Sequence, residues 1–77
     1  DEYVFISSIQ VRRGRQGRGL GGRMLRMIED RARSDGKAGV ELCVQSTNER
    51  AKEFYYYHGY DLMYANGNNI IMRKRLG

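Results

Sequence analysis

Gln16-Gly17-Arg18-Gly19-Leu20-Gly21-Gly22 is the stretch of this chain whose residue types and spacing can do chemistry. Residues without a Cβ let backbone N–H groups turn inward and approach an anion closely, and a helix starting there adds its positive dipole end. From Arg12 to Gly22 there are five glycines in eleven residues, interleaved with Arg12, Arg13, Arg15 and Arg18 and followed by Arg23. The chemistry this suits is the holding of a phosphate or pyrophosphate. A dinucleotide fingerprint can be laid onto Gly17, Gly19 and Gly22, but it needs an acid about twenty residues later at the end of a strand. Glu41 lies near that distance but at the start of its strand, and the further strands of a dinucleotide fold are missing. No Gly-Lys-Ser/Thr follows, so a Walker loop is excluded. A flexible Gly/Arg linker that binds RNA is the bland alternative, and it is disfavoured because the stretch runs directly into a strongly periodic segment.

The other candidate groups carry less. His58 is the one histidine, and a lone histidine at the end of an amphipathic helix is usually structural. Cys43 is the one cysteine, so it can form no internal disulfide and build no metal site alone, and the chain reads as cytoplasmic. No metal-ligand spacing occurs anywhere.

The elements that must position these groups follow from periodicity. Residues 3–11 are aromatic and β-branched and predict a strand. From Leu20 the apolar positions Leu20, Met24, Leu25, Ile28 and Ala32 predict a helix, with Glu29, Arg31 and Arg33 outside its apolar face, ended by Ser34-Asp35-Gly36-Lys37. A strand follows over 40–45, with Val40, Leu42 and Val44 on one face and Glu41, Cys43 and Gln45 on the other. Ser46-Thr47-Asn48 offers N-caps for a second helix reaching about His58, with the stripe Ala51, Phe54, Tyr55 and His58, and Gly59 is placed to stop it in a left-handed turn. Strands over 60–64 and 70–76 are joined by 65–69, whose Asn66-Gly67 is a hairpin signal. The order is β-α-β-α-β-β in one α/β (α+β) domain over residues 1–77.

Seventy-seven residues lie near the lower limit for a self-sufficient apolar core, so help from a partner chain or ligand is expected. The net charge is +5, from 14 Lys and Arg against 9 Asp and Glu, and favours an anionic partner. The basic residues concentrate in the glycine-rich stretch and at Arg73-Lys74-Arg75. No apolar run is long enough to cross a bilayer.

Asn48 to Tyr60 fits N-x-x-A-x-x-x-Y-x-x-x-G-[FY], and Gln16 to Gly21 fits Q-x-x-G-x-G. In this order, with a strand between and a hairpin after, the two resemble the GNAT superfamily of acetyl-CoA-dependent N-acyltransferases, from about Tyr3 to Leu76. The resemblance implies the cofactor-binding, C-terminal half of a partial GNAT fold: a mixed sheet with two helices, lacking the family's upstream strands. It implies that acetyl-CoA is the co-substrate and that its pantetheine arm lies between strand 3–11 and strand 40–45. The backbone of Ile9, Gln10 and Val11 would pair with the pantetheine amides. Gln16, Gly17, Arg18, Gly19, Leu20, Gly21 and Gly22 would hold the pyrophosphate, Asn48 would hydrogen-bond the pantetheine, and Tyr55 would protonate the departing thiolate. A phenol, protonated at neutral pH, suits that role; the alternative is a core aromatic. Where some members carry a carboxylate that deprotonates the amine, this chain has Cys43, with Glu41 two residues earlier as a substitute; a buried small cysteine and a paired surface glutamate are the better readings.

The implied function is transfer of an acetyl group to an unnamed amine, with the missing half supplied by a second copy in a homodimer or by a longer chain. The alternative is a non-catalytic module that senses CoA or binds nucleic acid through the basic loop, of which nucleic acid is the less favoured.

Overall fold

The computed structural model describes residues 2–6 and 20–77. An i, i+3, i+4, i+7 stripe of Leu25, Ile28, Glu29 and Ala32 turns inward and makes α1 (Leu20–Ser34). Leu25 and Ala32 are sealed in the core, whereas Met24, expected on the same face, is 41% exposed. Glu29 departs from expectation in the other direction: it is buried, because it follows Leu25 by one turn and finds donors inside. Chain reversal after α1 uses Gly36 at φ 72°, with the Lys37 N–H donating to the Ala32 carbonyl at 2.9 Å and that of Gly36 to Arg33 at 3.0 Å. This pair of bonds is a Schellman cap.

The remaining elements are β1 (Tyr3–Ile6), β2 (Gly39–Gln45), α2 (Glu49–Tyr57), β3 (Asp61–Asn66) and β4 (Asn69–Arg75), so the order is the β-α-β-α-β-β expected. The first strand is described from Tyr3 to Ile6; residues 7–11 of the expected strand lie outside the described residues. The four strands form one mixed sheet in the order β1-β2-β4-β3. β1 runs parallel to β2 with Val4 opposite Val40, and β4 is antiparallel to both β2 and β3.

Alternation in β2 sends Val40, Leu42 and Val44 to one face, where Ile70 and Met72 of β4 join them. Leu25 and Ala32 of α1 and Tyr55 of α2 pack against these, so both helices cover the same face. The opposite face carries Tyr3, Phe5, Glu41, Cys43, Ile71 and Arg73, and Phe5 is exposed. The β3–β4 hairpin is tighter than expected: Asn66 pairs with Asn69, leaving the two-residue turn Gly67-Asn68, with Gly67 at φ 64°. Among the described residues no helix is long and apolar enough to cross a membrane.

Candidate functional site

α1 begins at Leu20, so the main chain of Leu20, Gly21 and Gly22 forms a first helical turn whose N–H groups have no carbonyl four residues back inside the helix. Those donors form the C-terminal end of the glycine-rich stretch. Gly22 is there for contact: a Cβ on it would stand 3.2 Å from Cε1 and 3.5 Å from Nε2 of His58. The imidazole itself lies tilted against Phe54, ring centres 4.5 Å apart, so it cannot retreat freely. His58 thus closes the end of α2 onto the start of α1, which is a structural task and agrees with its reading from the sequence. Ile9, Gln10, Val11, Gln16, Gly17, Arg18 and Gly19 lie outside the described residues.

Of the three N-cap candidates for α2, the structure uses Asn48. Its side-chain oxygen accepts the Ala51 N–H at 3.0 Å, which satisfies one orphan donor of the first turn. The cap occupies only the carbonyl oxygen. The two amide hydrogens of this exposed side chain have no acceptor among the described residues.

Tyr55 sits in the last turn of α2, and its ring is buried, edge-on to Phe54 at 5.2 Å and to Tyr60 at 5.8 Å. Burial pushes its phenol above the ordinary value of 10.0. Among the described residues its hydroxyl makes no hydrogen bond. The helix stops in a second Schellman cap: Gly59 takes φ 93°, its N–H donates to the Tyr56 carbonyl at 3.0 Å, and the Tyr60 N–H donates to that of Tyr55 at 2.9 Å.

The residue that sequence reasoning misses here is Glu29. Its Oε2 accepts the Tyr60 hydroxyl at 2.8 Å, and its two oxygens lie 3.2 and 3.4 Å from Lys74 Nζ. Its one signal in the sequence is position, four after Leu25 and three before Ala32, where its charge argues for the outer face. Burial raises the Tyr60 phenol well above its ordinary range, with the bond to Glu29 and that carboxylate's charge adding to the effect.

Glu41 and Cys43 do not approach Tyr55; they lie on the opposite face of the sheet. Arg73 donates to Glu41 Oε2 through both Nε, at 2.7 Å, and Nη2, and its guanidinium stacks 4.5 Å over the Tyr3 ring. Glu41 is thus the cross-strand ion-pair partner of Arg73. Cys43 is half-buried and unbridged. No group of three or more His, Cys, Asp or Glu suited to a metal occurs among the described residues.

Residues 1–60 match the acetyltransferase (GNAT) family, and the chain belongs to that family. The fold is similar to that of PaiA N-acetyltransferase from Thermoplasma acidophilum, solved in complex with coenzyme A, with a TM-score of 0.92 at 20% identity over 99% of this chain and 48% of that one. An acetyltransferase from Thermus thermophilus is similar at a TM-score of 0.86 and 28% identity, over 97% of this chain and 48% of that one. The ribosomal-protein-S18-alanine N-acetyltransferase of Escherichia coli is similar at a TM-score of 0.82 and 23% identity, over 99% of this chain and 56% of that one. The chain therefore spans about half the length of the solved structures it resembles. No curated protein sequence matches it.

Proposed function

We propose that this chain binds acetyl-CoA at the start of α1 and transfers the acetyl group to an amine, in an assembly completed by a second copy of itself. The observation that carries the reading is the glycine-rich stretch running straight into the first turn of α1, closed from behind by His58 on Gly22. The N–H groups from Gly17 to Gly22 hold the pyrophosphate, as helix starts do for anions. The arginines of the stretch add attraction. The backbone of Ile9, Gln10 and Val11 pairs with the pantetheine amides, and Asn48 donates its free amide hydrogens to the same arm.

The amine then attacks the thioester carbonyl and the tetrahedral adduct collapses with cleavage of the C–S bond. The Tyr55 hydroxyl passes its proton to the departing thiolate, and the amine gives its own to water, which returns one to the Tyr55 phenolate. Tyr55 suits this step because a phenol, with an ordinary value of 10.0, holds its proton at neutral pH. The second copy is supported by the open face bearing Phe5 and by β1, which has one hydrogen-bonded neighbour among the described strands.

Calorimetry with CoA, run with light scattering on the same samples, tests this reading. Wild type and Tyr55→Phe are expected to bind, because the ring remains and only the proton is lost. Gly21→Asp, which places a negative charge in the phosphate cradle, is expected not to bind. The scattering mass is expected to be twice that of the chain. Equal CoA affinity in Gly21→Asp would move the site elsewhere, and a monomer would remove the second copy.

A further inference from the structure

We infer that the Tyr60 hydroxyl, held by the buried carboxylate of Glu29, is a positioning group for Tyr55: it locks the Tyr55 ring against α1 and so keeps the phenol in register with that helix. The inference rests on the roles proposed above for Tyr55 and for the start of α1.

A carboxylate inside an apolar core costs free energy unless it is fully partnered, and an apolar residue there often serves stability as well or better. Glu29 is 7% exposed on the α1 face that carries Leu25 and Ala32, and its partners come from two other parts of the chain, Tyr60 just before β3 and Lys74 on β4. Buried polar groups of this kind are best attested as devices that specify one arrangement of elements over its neighbours. The arrangement specified here is α1 against the end of α2.

Tyr60 makes the connection to Tyr55 twice. Its N–H holds the Tyr55 carbonyl in the helix cap, and its ring meets the Tyr55 ring edge-on at 5.8 Å. The Tyr55 hydroxyl has no hydrogen bond of its own among the described residues, so its direction rests on ring packing against Phe54 and Tyr60. The Phe54 contact belongs to α2 itself. The Tyr60 contact refers Tyr55 to α1 through the 2.8 Å bond to Glu29, a polar route beside the apolar one from Phe54 through His58 to Gly22. Lys74 braces the far side: a Cβ on Gly59 would lie 3.4 Å from Lys74 Cε, and Nζ stands 5.8 Å from the centre of the Tyr60 ring.

The test is the ring-flip rate of Tyr55, read from NMR line shapes in the 77-residue chain with labelled tyrosine, for wild type, Tyr60→Phe, Glu29→Ala and Glu29→Gln. Circular dichroism and melting curves first establish that each is folded. Removing the hydroxyl or its acceptor is expected to speed flipping about tenfold or more, the scale of one hydrogen bond to a charged group. Glu29→Gln keeps an acceptor for the Tyr60 hydroxyl and is expected to flip as wild type does. With CoA added, Tyr60→Phe is expected to retain affinity while the shift that CoA induces at Tyr55 Cζ becomes smaller than in wild type. An unchanged flip rate in both Tyr60→Phe and Glu29→Ala overturns the inference. Absence of CoA binding in wild type would instead sink the cofactor reading, while the ligand-free flip rates still decide whether Tyr60 positions Tyr55.

Discussion

Tyr55 and Tyr60 are two phenols in one buried cluster, and the same force acts on both: removal from water penalises the phenolate. For Tyr55 this means a phenol that is protonated at neutral pH, as the proposed donor role requires. For Tyr60 it means a hydroxyl that stays a donor to Glu29. Raised folded-state values also make a stability statement. Below pH 10, the unfolded value, both states are protonated and the contribution is fully present. Above it the unfolded chain loses protons first, so stability falls as pH rises toward the folded value. Urea unfolding from neutral pH to beyond the phenol range is expected to show this fall. In Tyr60→Phe the slope should be shallower by up to about 1.4 kcal/mol per pH unit, one proton's worth. Identical slopes would mean that Tyr60 titrates normally. At this scale the place of Tyr55 on the inward stripe of α2 was legible in the sequence, but the burial of Glu29 was not. A charge on an amphipathic helix ordinarily marks the outer face, and only the three-dimensional neighbours Tyr60 and Lys74 make the inner one tolerable.

Elements were more legible than residues, for a physical reason: periodicities of 3.6 and 2 survive in the sequence wherever one face is buried. The order of six elements, the glycine stop of α2 and the two faces of β2 all follow from it. The margins do not. The hairpin strands reach further than expected because Asn66 and Asn69 pair across the turn, and a polar pair leaves no apolar signal. Met24 lies off the core stripe although its spacing admits it. The choice of Asn48 over Ser46 and Thr47 as cap is likewise a matter of geometry, and it separates two roles by experiment. Asn48→Ala is expected to cost about 1 kcal/mol of stability through the lost cap. Asn48→Asp keeps an oxygen for the Ala51 N–H but has no amide hydrogens to give. It should therefore melt near wild type while binding CoA more weakly. CoA affinity unchanged in Asn48→Asp would confine the residue to capping.

At the scale of the whole molecule, the helices close one face of a four-stranded sheet and leave the other to Phe5, Tyr64 and the Glu41–Arg73 pair. A chain of this size has little stability in reserve, of the order of 5–10 kcal/mol, so occupancy of a real site must show in its melting. CoA bound to the folded state alone, at about a hundredfold excess over its dissociation constant, adds about 2.7 kcal/mol. For a domain of this length that corresponds to a rise of roughly 10–20 °C in melting temperature. The measurement is a melting curve of the chain with and without CoA, at low and high salt, with an oligonucleotide as the control. A rise of that size is expected with CoA, lost in Gly21→Asp and largely retained at high salt, where nucleic-acid affinity collapses through counterion effects. A melting temperature unmoved by millimolar CoA, or raised by the oligonucleotide alone, would contradict it.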